Sequence, residues 1–160
     1  MNRLNTYDYK LCENRATMEG LYDYNANIES QWPFGHGLSY TTFEYSNMRA
    51  DKTEFLSDDT IKVEIDVKNT GSVAGKESVL LFSSDLCASV APDVRRLRDY
   101  AKVSLEPGQS TTVTFNLKAS DLAFVDHSLR RILEPGGFRL SCGSEHIMVE
   151  CVEHRTAIVE

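Results

Sequence analysis

The 160-residue chain has no apolar run long enough to cross a membrane as a helix. Its longer stretches, such as Val79–Phe82, hold four residues, against the roughly 20 that a spanning helix needs. It also has no excess of positive charge. Seventeen Lys and Arg stand against 24 Asp and Glu, a formal net charge of −7, which disfavours nucleic-acid backbones and acidic lipid faces as partners. The only basic groupings are Arg95-Arg96 with Arg98 and the pair Arg130-Arg131. Helical periodicity is nearly missing: one turn at Ala119–Ala123, with Ser120 as its cap, is the sole candidate. No Cys-x-x-Cys and no His pair at zinc spacing occur, so neither a metal nor a cofactor is expected. Ser39 lies in no G-x-S-x-G setting, which leaves no nucleophile elbow to recognise. The opening MNRLNTYDYKLCENR has no apolar h-region, so it does not read as a secretory signal. The expectation is a cytosolic protein or one piece of a longer one.

The cysteines are few, namely Cys12, Cys87, Cys142 and Cys151. Cys142 and Cys151 fall on adjacent predicted strands, about four residues apart along the ladder and so roughly 13 Å apart. That exceeds the limit of about 7 Å between Cα atoms for a disulfide. All four are expected as free thiols that act as small buried hydrophobes, with Cys12 the most exposed.

What the chain does have is 41% apolar residues, enough for one core that buries roughly two-thirds of the unfolded surface. From about Thr60 the dominant period is two. Ile61, Val63, Ile65 and Val67 alternate with Lys62, Glu64, Asp66 and Lys68, which describes a half-exposed antiparallel strand. Turn chemistry at Asn69–Gly75 precedes a strand at Glu77–Ser83. Thr111, Val113, Phe115 and Leu117 alternate after Glu106-Pro107-Gly108-Gln109, a type I or II turn. Glu134-Pro135-Gly136-Gly137 reads as a turn of the same kind, joining a strand around Leu129–Leu133 to one carrying Phe138, Leu140 and Cys142. Ile147, Val149 and Cys151 mark the last strand. About seven short strands with turn signals every ten residues or so predict an all-β, immunoglobulin-like sandwich. Ser84–Arg98 shows no clean period and reads as a long ordered loop, a place where function is often found. The first 38 residues hold four of the seven tyrosines and the only Trp without a sustained period, as expected of a segment that wraps a sandwich or docks elsewhere.

The most distinctive stretch is Trp32–Phe43, WPFGHGLSYTTF: aromatic anchors, glycines that permit close backbone approach, then the alternating start of a strand at Tyr40–Tyr45. It resembles the PFG-x-GLSYT-x-F signature that opens the C-terminal fibronectin type III-like domain of glycoside hydrolase family 3 enzymes, the β-glucosidases and β-xylosidases. Further motifs agree in the same order. Val67–Gly71 with Ala74–Glu77 is similar to that family's V-x-NTG-x-x-AG-x-E hairpin, and Leu97–Phe115 to its KV-x-L-x-PG run. Asp121-Leu122 with Asp126, then Glu134-Pro135-Gly136 and Phe138, resemble its DL-x-x-D and EPG-x-F elements, and Met18–Tyr24 its linker. The likeness runs from about Thr17 to Cys151. Asp99-Tyr100 departs from the usual Gly-Phe, Ala91-Pro92-Asp93 lacks a neighbouring basic residue, and Phe124-Val125-Asp126 lacks a common tyrosine.

The resemblance implies three segments: residues 1–37 as linker and end of the preceding catalytic region, 38–152 as the fibronectin type III-like sandwich, and 153–160 as a C-terminal tail. It implies no catalytic residue in this chain. A retaining glycosidase needs two carboxyls about 5–5.5 Å apart, and in that family they come from preceding domains. Acidic residues such as Asp51, Glu54, Asp58, Asp59, Glu64 and Asp66 are expected on loops or the outer strand face; Asp58-Asp59 fits an ordinary turn better than a calcium site. Candidate docking residues toward the catalytic domains, in cis or in trans, are Tyr22, Tyr24, Trp32, Phe34 and His36. Asp85, Pro92, Asp93, Arg95 and Arg96 are candidates for a loop at the cleft rim. The implied role is accessory and stabilising, with a homodimer through the docking surface as a further expectation. The resembling family is often periplasmic or secreted and sometimes cytoplasmic. The alternative reading is an independent carbohydrate-binding or adhesion sandwich, against which the aromatic-free face Lys62, Glu64, Asp66, Lys68 weighs.

Overall fold

Strict alternation in the middle of the chain builds the first sheet. The computed structural model describes residues 32, 35–90, 93–153 and 156–158. In it β3 (Thr60–Asn69) is flanked by β1 (Phe43–Ala50) and β6 (Ser110–Lys118), all antiparallel. Ile61, Val63, Ile65 and Val67 are fully buried. On the opposite face Glu64 meets Arg49 at 2.8 Å and Lys62 at 2.6 Å, exposed pairs that favour solubility more than stability. The second sheet has the order β2 (Glu54–Phe55), β10 (Glu145–Cys151), β9 (Gly136–Cys142), β4 (Gly75–Asp85), β5 (Arg96–Leu105). Val79, Leu81, Phe138, Leu140 and Val149 from this sheet share one core with the inner face of the first, as in a two-layer sandwich. Two-residue β2 pairs in parallel with β10 because Phe55 is buried against Phe138, ring centroids 5.8 Å apart. A small third sheet, β11 (Thr156–Ala157), β8 (Arg131–Leu133) and β7 (Phe124–Val125), lies beside them. The short helical stretch is a single 3-10 turn, Ala119–Leu122.

Two bulges set which side chains face the core. Between Ser46 and Arg49 β1 advances three residues while β3 advances two, from Asp66 to Glu64, and Asn47 takes the strain at φ 53°. The extra residue flips parity. Phe43 and Tyr45 face inward before it, and Met48 and Ala50 after it, so a plain period-two pattern fails there. On the β4–β5 ladder Leu81 faces Asp99 and Phe82 faces Leu97; Arg98 is the residue left over.

Asn69, the last residue of β3, is fully buried yet polar. Its Oδ1 accepts from Thr41 Oγ1 at 2.7 Å and from the Gly71 amide at 3.0 Å, while Nδ2 donates to the Val73 carbonyl at 2.8 Å and the Leu105 carbonyl at 3.0 Å. Its backbone amide donates to Gln109 and its carbonyl accepts from Gly108, both at 2.9 Å. The side chain thus joins the entry to β1, the β3–β4 turn and the end of β5, and the backbone of the same residue joins the β5–β6 turn. A Cβ on Gly71 would stand 2.1 Å from Thr41 Oγ1, so only glycine lets this turn close on Thr41.

Several expectations are corrected. The 3-10 turn is preceded by Lys118 with no side-chain cap, and Ser120 lies inside it, using its carbonyl to accept from Ala123. Glu106–Gln109 is a type II turn, since Gly108 has φ 77° and the Gln109 amide donates to Glu106. Glu134–Gly137 is not a turn of that kind: Gly136 has φ 145° and already opens β9. Leu129 belongs to no strand but to a tight turn at φ 57°. β4 and β5 run on into the stretch read as a loop, which shrinks to residues 86–95 because both strands are buried or paired to their ends. Cys87 is exposed rather than buried, whereas Cys142 and Cys151 are buried free thiols; Cys12 lies outside the described residues. Along the β9–β10 ladder Cys142 faces Glu145, so Cys151 is six positions away rather than four. Thr156–Ala157, within the stretch read as a tail, pairs with β8.

Burial pushes the Cys142 thiol up to about 12, helped by the Glu77 charge, and burial with the 2.7 Å bond to Glu77 pushes the Tyr45 phenol up as well. The folded chain keeps these protons where the unfolded chain releases them, above the ordinary 9.0 of a thiol and 10.0 of a phenol. The stability that these two groups contribute is therefore fully present below pH 9 and declines as pH rises from there, by up to about 1.4 kcal/mol per pH unit per group. Urea midpoints measured across the alkaline range should fall, and Tyr45→Phe should make the fall shallower. Asn69→Ala strands two carbonyls, a hydroxyl and an amide in the interior and should lower unfolding free energy by roughly 3 kcal/mol or more in the same assay. An unchanged midpoint would show that the hub is not stabilising.

Candidate functional site

Of the five aromatic and histidine docking candidates, Trp32 and His36 are described. They stack with ring centroids 6.5 Å apart and planes inclined 23°, with Trp32 still 60% exposed. Gly35, at φ 86°, lies between the two residues in sequence. Tyr22, Tyr24 and Phe34 lie outside the described residues.

The second group of candidates sits where β4 ends and β5 begins. Ser84 Oγ donates to the Val94 carbonyl at 2.8 Å, and Ser89 is held by the Glu134 carboxylate through its amide and its hydroxyl, both at 2.8 Å. The Leu86 amide donates to Gly137 at 3.1 Å. The loop is thus tied at both shoulders to the sheet it leaves. Asp85, Asp93 and Arg96 line one cleft of about 190 Å³ together with Ser83 and Phe124. Arg95 does not join them: its guanidinium carbon lies 4.6 Å from the centre of the Phe82 ring, covering an aromatic side chain on the outside of the sheet. Pro92 lies outside the described residues.

Arg98 is the residue that sequence reasoning missed. As the extra residue of the β5 bulge it is aimed at the cleft, where Nε donates to Ser83 Oγ at 2.6 Å and a terminal nitrogen donates to the Asp121 carbonyl. Burial, with the neighbouring Arg96 charge, lowers its pKa to about 10. Burial also raises the Asp85 carboxyl, against the Cys87 amide that donates to it at 3.1 Å. The signal available in the sequence was the basic grouping Arg95-Arg96 with Arg98; its bulge had none. An adjoining groove of about 640 Å³ runs between Arg96, Arg98 and Leu97 on one side and Phe124, Val125 and Arg131 on the other. Its chemistry is charge recognition and hydrogen bonding.

Other acidic candidates are occupied in ways that fit a surface role. Asp59 accepts from Lys52 at 2.6 Å and from the Leu56 amide at 2.8 Å, closing a turn, and these bonds hold its pKa down. Asp66 accepts from Thr112 and Asn47 on the outer face. Among the described residues no group of three or more His, Cys, Asp and Glu is arranged to hold a metal ion.

Comparison with known proteins places this geometry. Residues 77–146 match the family model of the fibronectin type III-like domain. The chain is 38% identical over 113 residues to a β-xylosidase of Formosa agariphila, covering 71% of this chain and 16% of that protein. It is 41% identical over 117 residues to thermostable β-glucosidase B of Acetivibrio thermocellus, covering 72% of this chain and again 16% of the relative. Among solved structures, a β-glucosidase from Erythrobacter marinus superimposes with a TM-score of 0.76 at 31% identity, covering 85% of this chain and 19% of that one. The chain thus spans about a sixth of the length of the curated relatives it matches. With the two-layer sandwich and the shared motifs, residues 77–146 are a fibronectin type III-like domain, and the chain is similar to the part of glycoside hydrolase family 3 β-glucosidases and β-xylosidases that it aligns with.

Proposed function

We propose that this chain is a non-catalytic accessory domain that docks on the catalytic region of a family 3 glycosidase and stabilises it, the reaction of the whole enzyme being hydrolysis of terminal β-glycosidic bonds. The observation that carries this reading is the proportion of the match: 71% of this chain aligns with only 16% of the β-xylosidase. Most of each relative, and with it room for a separate catalytic region, lies outside the aligned part. Residues 1–37 act as the linker from that region, 38–152 as the docking sandwich and 153–160 as its end. The Trp32–His36 stack stiffens the linker, and the loop bearing Asp85, Asp93 and Arg96 faces the rim of the catalytic cleft. Without the catalytic region, two copies pair through the docking surface that includes Trp32.

The isolated chain should release no nitrophenol from p-nitrophenyl β-glucoside or β-xyloside. Grafted in place of the matching segment of thermostable β-glucosidase B, it should preserve folding and β-glucosidase activity, whereas deletion of that segment should lower the melting temperature and the activity. A deletion variant as stable and active as the parent would reject the accessory role, and hydrolysis by the chain alone would reject its non-catalytic character. Sedimentation of the isolated chain should show concentration-dependent dimers that Trp32→Ala weakens.

A further inference from the structure

The two basic groupings of this acidic sequence, Arg95–Arg98 and Arg130-Arg131, are more than 30 positions apart, yet the fold brings Arg96, Arg98 and Arg131 to one groove. The acidic residue lining it is Asp121, whose carbonyl is already engaged by Arg98. Resting on the docking role above, we propose that this groove, with Arg96, Arg98 and Arg131 on its walls and Val125 at its lip, receives an acidic segment of the catalytic region of the same enzyme.

The charge argument rests on three guanidinium groups gathered on one groove. Arg96 and Arg98 form no ion pair among the described residues, as Lys68, Lys76, Lys102, Lys118 and Arg139 on other parts of the surface form none, but only here do such groups line one groove with a third arginine, Arg131. Arg98 is bonded by neutral acceptors alone, a hydroxyl and a carbonyl. A partly desolvated guanidinium gains most from an incoming carboxylate, because the cost of removing water from it is already met by the fold. Burial and the Arg96 charge lower its pKa, against the opposing pull of Asp121, Asp93 and Asp85.

The walls carry the apolar half of a protein contact. Leu97 is 37% and Val125 54% exposed; Leu129, at the tip of the β7–β8 hairpin and outside the groove's lining, is 87% exposed. That tip is preformed. The buried Asp126 carboxylate accepts from the Ser128 and Arg130 amides at 2.8 and 3.0 Å, and so holds Leu129 outward at φ 57°. An ordered loop gives up little entropy on binding. Arginine beside exposed aliphatic groups is the composition of an interface core and its polar rim, and a cluster of like charges attracts a partner of the opposite sign.

The test titrates the full chain into thermostable β-glucosidase B from which its own matching segment has been deleted, by calorimetry. Arg96→Glu, and Arg96→Glu with Val125→Glu, change exposed side chains, and urea midpoints near that of the parent chain confirm their folding. Lys68→Glu on the outer face of β3 is the control with the same charge change. The expected result is binding by the parent chain that weakens with salt, a loss of about tenfold or more for Arg96→Glu, a larger loss for the double variant, and less than twofold for Lys68→Glu. Binding by the parent chain that Arg96→Glu leaves unchanged would overturn the groove as the contact while leaving the docking role standing. No binding by the parent chain would overturn both. Saturable binding of glucuronate to the isolated chain, lost in Arg96→Glu, would assign the groove to an acidic sugar and overturn the proposal.

Discussion

The sandwich depends on a buried amide. A core of valine, leucine, isoleucine and phenylalanine supplies most of the driving force for collapse but little direction, since apolar contacts are tolerant of register. Asn69 supplies direction. Its side chain meets all four of its hydrogen-bonding demands, from Thr41, Gly71, Val73 and Leu105, and can do so only when three separate segments stand in one arrangement. The turn after β3, the end of β5 and the entry to β1 are thereby fixed together. Thr41 needs Gly71 to lie flat against it, and Gly71 needs Thr41 to have no competitor for that space. The NTG sequence and the SYTTF sequence are therefore two halves of one joint, although 28 positions separate Thr41 from Asn69.

From that joint at one end, the strands run to an opposite kind of feature at the other. The sheets at the β4–β5 end are irregular, and the irregularity is productive. A single extra residue in β5 aims Arg98 at the Ser83 hydroxyl and the Asp121 carbonyl, which ties the sandwich to the 3-10 turn and, through Ser120, to Arg131 on β8. Arg96 and Arg98 are two positions apart on β5, the spacing that keeps side chains on one face of a strand, and both line the same groove.

How much of this was legible differs from element to element. β3 and β6 were plain because each has one face in the core and one in water, so period and burial coincide. β1 was legible only at its start, since the bulge at Asn47 reverses which parity is inside. β5 carries exposed or half-exposed residues along most of its length and so gave no apolar rhythm; it entered only as part of a loop and a family motif. The two-residue strands β2, β7 and β11 have no period at all and exist because tertiary contacts, such as Phe55 on Phe138, bring them beside a partner. In the candidate site, Asp85, Asp93 and Arg96 were picked out by their place in a loop, and they do line one cleft. Arg95 was picked out on the same ground and turned instead onto Phe82.

Local sequence by itself determined the all-β class, the two-sided strands, the type of turn chemistry and the family, because each rests on residues within a few positions of one another or on motifs in fixed order. Only the tertiary structure decided which buried polar group holds the turns together, where the parity of β1 and β5 reverses, and that two arginine groups far apart in an acidic chain share a groove. Those outcomes depend on pairings between distant strands. A shift of one residue in any of them sends every side chain to the other face, and no local pattern records that choice.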